Sequence, residues 1–435
     1  MTIQILRMNL LIKSATIVDS RSELNGKKSD ILIEDGSIKK LASEIHVEKN
    51  IAVFEAENLH VSIGWFDMQV NFNDPGLEHK EDLESGCRAA AFGGFTGVAC
   101  MPSSHTPTQS KSEIEYIINK TQKNSVDVFP VGALSQKMEG RDMTEMYDMF
   151  NAGAVAFSDN KKPVIDSGLL SRSLLYAKGF DGKIIHFPED AQLANDGKIN
   201  EGEMSTQLGV KGIPALAEEL MVARDISIAE YNSTSLHLGT VSVAKSVDLI
   251  REAKKKGIAI TCGVAVHNLV LTENALFEFD SNYKVKPPLR TQADVDALWK
   301  GLLDGTVDVI CSDHTPQDLE SKEREFDTAS FGIIGLETCF ALINSTNKKL
   351  KPEQLIEKIS IVPRKILNLP LPIIKEGNNA NLTLFSPKTK WIFTEKEIQS
   401  KSKNSPFKGL ELKGKVLGIV NNNQFIDRNH LMFKS

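Results

Sequence analysis

Cysteine is scarce in this chain, five residues in 435 with no Cys-x-x-Cys spacing. A disulfide-stapled framework and a cysteine-built zinc ribbon are thereby excluded. An odd, scattered set fits reduced thiols in a cytoplasm, and Cys262 and Cys311 read as packing residues of core strands. Basic charge is not in excess: Lys and Arg number 51 against 57 Asp and Glu, for a formal net charge of -6. Such a balance argues against nucleic acid or an anionic membrane as partner. No apolar run approaches the roughly 20 residues that span a bilayer. The first twenty residues, "MTIQILRMNLLIKSATIVDS", have an apolar run broken by Lys13 and Ser14, which reads as a strand rather than a signal peptide. A soluble cytoplasmic protein is expected. "GGFTG" (residues 93–97) lacks phosphate-loop spacing and is expected to serve close helix–strand packing.

What is present is an ordinary globular composition, 41% hydrophobic and 25% charged, in a chain long enough for one large and one smaller domain. Residues 1–60 alternate short β patterns with turns, Asp35-Gly36 being a hairpin signal. Between residues 61 and 369, "GVACMP", "VDVFPVGAL", "AVAFSDN", "KIIHFPED", "SLHLGT", "IAITCGVAV" and "VDVICSDHTP" read as strands. Helical stretches such as "IPALAEELMVARDISIAEY" and "VAKSVDLIREAKKKG" lie between them. Repeated β-then-α units over almost 300 residues predict an α/β protein with a (β/α)8 TIM-type barrel. Residues 370–435 return to β, so both termini are expected to build one small β-sandwich domain beside the barrel.

Chemistry in such a barrel is placed at the C-terminal ends of its strands. "GWFDMQVNFNDPG" (residues 64–76) ends a strand-like run with Gln69 and Asn71, which at i and i+2 share a face and point into the mouth. Two His there would make a metal site; this chain has two amides.

The stretch from Gly64 through "GVACMP", with "FSDN", "IIHFPEDAQL", "LGVKGIPALAEEL", "VKPPLR", "DVICSDHTPQ" and "FGIIGLET", resembles the dihydroorotases of the amidohydrolase superfamily, collinearly over residues 10–385. The resemblance implies a zinc-bound hydroxide that opens or closes a cyclic amide, with a carboxylate moving the proton. Metal binding lowers the pKa of water from 15.7 to about 7. At about 1.36 kcal/mol per unit this makes a nucleophile available by on the order of ten kcal/mol. Carried residue by residue, the resemblance leaves Asp159, His186 and Asp313 as remnant ligands, Asp313 also standing at the proton-shuttle position. It puts Gln69, Asn71 and Thr240 where the family has metal-binding His. Amides and a hydroxyl replace imidazole poorly on zinc. His237 lies near Thr240, but at i-3 on a strand it faces the other way.

The anchors that the resemblance implies for substrate are substituted as well. Asn73 stands for an Arg that grips the substrate carboxylate, Ser103 for an Asn, Lys286 for another Asn, and Gln317 for a His. Lys286 reads either as an anion-binding residue or as a solvated rim charge. His267 reads as a packing or supporting residue, and His314 as orienting Asp313 or the loop beyond it. "SKEREFD" (residues 321–327) reads as a charged, solvated loop. No cofactor is expected, although zinc serves the family.

Three functions remain open. One is a non-catalytic dihydroorotase homologue, homo-oligomeric or assembled with aspartate carbamoyltransferase, as the resemblance implies for inactive members. The second is a working cyclic amidohydrolase with a reduced metal site. The third is a barrel repurposed to bind another small molecule through Asn71, Asn73, Thr240 and Lys286.

Overall fold

The computed structural model describes residues 8–47, 51–347 and 349–428. The first seven residues of the N-terminal run, read above as strand, and residues 429–435 lie outside the described residues.

The central unit is a ring of parallel strands. Trp65–Val70, Phe95–Cys100, Asp127–Gly132 and Ala156–Phe157 pair in sequence order as one four-stranded sheet. Ile185–His186, Leu236–Thr240, Ile260–Ala265 and Val309–Cys311 form a second. The two sheets meet at both edges through single parallel bridges, Phe157 to Ile184 and Val70 to His314, which close the (β/α)8 barrel. Its strands are buried on both faces because helices such as Leu83–Phe92, Ala215–Asn232 and Ala244–Lys255 cover the outside. Phe66, Met68, Ala99, Val131, Ala156, Ile185 and Val309 cluster together in the barrel interior, with Leu367 packed among them.

The first barrel strand carries an irregularity that decides the site. Its pairing with the second strand shifts register between Asp67 and Val70. Phe66 and Met68 belong to the interior cluster, whereas Val70 and Phe72 join the large core around the barrel. One slipped residue exchanges the two faces of a strand. Gln69 and Asn71 are therefore turned inward at the mouth although Met68, one residue earlier, is also inside.

The described terminal segments form one eight-stranded sheet. Its N-terminal half is joined to its C-terminal half where His60–Ile63 pairs antiparallel with Leu382–Ile392. Asp35 and Gly36, with φ of 48° and 77°, turn the hairpin between Lys28–Glu34 and Ser37–Ala42. In "GGFTG", a Cβ on Gly93 would lie 2.3 Å from the Leu336 carbonyl oxygen, so this close approach of backbones requires glycine. Among the described residues no helix is long and apolar enough to cross a membrane.

Candidate functional site at the barrel mouth

A cavity of about 270 Å³ opens at the C-terminal ends of the strands, and Asn71, Asn73, Ser103, Lys286, Asp313 and Gln317 all line it. Thr240 is fully buried just below, its hydroxyl hydrogen-bonded to Lys161, another lining residue. These seven positions converge on one place, whereas Gln69, Asp159 and His186 do not line the cavity, and their bonding differs from residue to residue.

Gln69 donates from Nε2 to Asp313 Oδ1 at 2.8 Å. Asn71 donates from Nδ2 to the His314 carbonyl at 3.0 Å and to Thr315 Oγ1 at 3.1 Å, and its Oδ1 accepts from Asn160 at 2.9 Å. Asn160 also reaches Ser103 Oγ. The amide pair is thereby built into the hydrogen-bond net of the mouth, Gln69 on the Asp313 carboxylate and Asn71 on neutral partners.

Asp159, His186 and Asp313 are each hydrogen-bonded to a different set of partners. Asp159 Oδ1 accepts from the backbone N–H groups of Leu134 and Ser135, each at 2.9 Å, and its Oδ2 accepts from the Ser135 hydroxyl. Burial lifts its pKa above the ordinary value, opposed by those Ser135 and Leu134 bonds. His186 places Nδ1 2.6 Å from Asp225 Oδ2, while Nε2 accepts the Val164 N–H at 3.0 Å. With Nδ1 carrying the proton toward a carboxylate, the only lone pair of the neutral ring is already taken. Asp313 adopts φ of 51° and is held by both the Gln69 amide and the Lys161 ammonium. Burial raises its pKa against the pull of Lys161. Among the described residues, no group of three or more His, Cys, Asp or Glu stands close enough to hold a metal ion.

The remaining positions are also engaged. Lys286 pairs with Glu189 at 2.7 Å. Gln317 accepts from Lys80 at 2.7 Å and donates to the Phe331 carbonyl at 3.0 Å. Asn73 donates weakly, at 3.5 Å, to the Pro316 carbonyl. His237 lies apart, with Nδ1 2.8 Å from Thr261 Oγ1, in a cavity lined also by Lys183, Ile260 and Lys365; burial pushes its pKa down to about 3.

Of the two roles open to His314, the side chain takes the loop: its Nε2 faces Glu81 Oε2 at 3.4 Å and its Nδ1 accepts the Gly335 N–H at 3.2 Å, tying the eighth strand to neighbouring loops. One reading needs correction. "SKEREFD" is not simply solvated. Lys322 is buried and donates to the carbonyls of Ser281, Ser330 and Gly332, and burial pulls its pKa down to about 7. Charge patterning alone hides this, because a long side chain can turn inward to backbone oxygens.

Sequence reasoning passes over Lys161, Asn160 and Lys80. The basic pair directly after "SDN" was the available signal for the first of these.

In architecture this molecule is a (β/α)8 barrel carrying a sheet built from both ends of the chain. An L-hydantoinase from Arthrobacter aurescens superposes with a TM-score of 0.84 at 22% identity, covering 97% of this chain and 96% of its own. A D-hydantoinase gives 0.80 at 23% identity, covering 97% of each. At those identities the likeness concerns the fold. The family profile described as Dihydro-orotase-like matches residues 60–246. A dihydroorotase of Acetivibrio thermocellus is 40% identical over 427 residues, 97% of this chain and 100% of that protein. One of Ruminiclostridium cellulolyticum is 43% identical over 411 residues, 94% of this chain and 96% of its own. The chain belongs to the dihydroorotase-like family.

Proposed function

We propose that this chain serves pyrimidine biosynthesis as a dihydroorotase-family barrel that does not carry out zinc-dependent ring hydrolysis, and that its role is structural or regulatory. The observation that carries the reading is the prior commitment of the remnant donors. Zinc takes Cys, His and carboxylate ligands at about 2.0–2.3 Å. Here Asp159 anchors two backbone N–H groups, the His186 lone pair holds Val164, and Asp313 is paired with Lys161. Gln69, Asn71 and Thr240 offer neutral oxygens in place of imidazoles. This donor set does not fit zinc.

A second reading, an active dihydroorotase with a reduced site, is favoured by a different observation. Relatives that carry that name match nearly the whole chain at 40–43% identity, which supports an enzyme more directly than a partner role. The third reading, a small-molecule site using Asn71, Asn73, Thr240 and Lys286, has the 270 Å³ cavity in its favour. Domain boundaries at 1–60 with 370–435, and 61–369, belong to the same proposal, as does self-assembly or assembly with aspartate carbamoyltransferase.

The deciding assay follows interconversion of L-dihydroorotate and N-carbamoyl-L-aspartate at neutral pH with added zinc. No turnover is expected from the unmodified chain. Turnover that is abolished by Asp313→Ala replaces this proposal with the active reading.

A further inference from the structure

One positive charge sits where the resemblance would put a metal ion. Lys161 lies two residues beyond Asp159, on the loop that leaves the fourth barrel strand. Its Nζ donates to Thr240 Oγ1 at 2.9 Å and lies 3.0 and 3.1 Å from the two oxygens of Asp313. Both partners occupy positions that the resemblance assigns to metal ligands, at the ends of the sixth and eighth strands. The ammonium bridges them, and the Phe187 ring supports it from 5.0 Å. Gln69 donates to Asp313 Oδ1 as well, at 2.8 Å.

His267 gives an independent indication. It is 1% exposed and lines the same cavity, yet neither ring nitrogen has a hydrogen-bond partner. Its Nε2 lies 3.8 Å from Asp313 Oδ2. A buried imidazole with both nitrogens unbonded beside a carboxylate is half of an ordinary metal site. What stands next to it is an ammonium.

We propose that the Lys161 ammonium is the resident cation of this barrel mouth, filling the place of a divalent ion with a single positive charge, so that metal is kept out by occupancy as well as by the missing imidazoles. An ammonium is a compact point charge with three N–H donors and no acceptor. Thr240 and Asp313 are spaced for hydrogen bonds near 3 Å, about an ångström longer than zinc–oxygen bonds. A metal ion entering there would meet a like charge at contact distance. The inference builds on the reading that zinc hydrolysis is absent but is tested separately: turnover of the unmodified chain addresses that reading, and metal uptake by variants addresses Lys161.

The experiment is a calorimetric zinc titration of two variants. The first carries Gln69→His, Asn71→His and Thr240→His; the second adds Lys161→Gly. With Lys161 retained, the restored imidazoles are expected to bind zinc at least tenfold more weakly than in the fourfold variant. A single Lys161→Met variant supplies an arm free of introduced His: millimolar zinc should raise its melting temperature and leave that of the unmodified chain unchanged. Equal zinc affinity in the triple and fourfold variants overturns the proposal. So does the absence of any metal-dependent gain on removing Lys161 in either background.

Discussion

Replacing His186 by Ala separates a structural imidazole from a metal ligand. In the structure the ring joins three elements: its Nδ1 meets Asp225 at 2.6 Å on the long helix Ala215–Asn232, its Nε2 accepts the Val164 N–H, and it ends the fifth barrel strand. Asp225 is fully buried and retains Arg224, which donates to Oδ1 from Nε at 3.0 Å and Nη2 at 2.7 Å. Its charge therefore stays compensated after the substitution. Lost are one charge-assisted hydrogen bond, worth about 1.5–3 kcal/mol, and the partner of a buried backbone N–H, costing about 1–3 kcal/mol. The variant is expected to be destabilised by about 3–5 kcal/mol. Urea unfolding at pH 7.5, with and without chelator, measures this. The loss should be the same in chelator and in added zinc, because the ring works through protein partners. A loss below about 1 kcal/mol, or one that appears only with zinc present, refutes the reasoning and returns His186 to the metal-ligand set.

Stability should fall on acidification through His237, whose folded pKa of about 3 lies below the ordinary value near 6.5. The contribution is present above pH 6.5 and is lost as pH falls, with a limiting slope of about 1.4 kcal/mol per unit, so about 2 kcal/mol between pH 6.5 and 4.5. His237→Gln should flatten the urea midpoint–pH profile over that interval, and an unchanged slope contradicts the assignment. Gly335→Ala would put a Cβ 2.4 Å from the Ser312 carbonyl oxygen, backbone that cannot swing aside, and is expected to cost about 3 kcal/mol or prevent soluble expression. All five cysteines are buried, and burial drives Cys87, Cys100 and Cys262 up to about 12, so alkylation by iodoacetamide should be negligible in the native state and complete in guanidinium. One native thiol modified within minutes would show that a core strand opens.

The barrel was legible in the sequence because parallel strands buried on both faces must be written as short apolar runs, and the helices between them as amphipathic ones. "VDVFPVGAL" and "VDVICSDHTP" became the third and eighth strands for that reason. The pairing of both chain ends was legible from the β character of residues 1–60 and 370–435, which leaves neither segment able to bury its face alone. The amides Gln69 and Asn71 were likewise visible at the end of the first strand. How they are bonded was decided only by tertiary structure. The inward turn of Gln69 depends on a register shift between Asp67 and Val70, and register is a property of the neighbouring strand. Asp159 and His186 look like free ligands in one dimension; they are spent on Ser135, Leu134, Val164 and Asp225, partners 22 to 39 positions away along the chain. Lys161 is one more charged residue until the loop after the fourth strand carries its ammonium to Asp313, 152 residues further on. Local pattern fixes which face of an element is apolar, because that depends on residues a turn or a pleat apart. Whether a donor is free or already bonded depends on atoms brought together by folding.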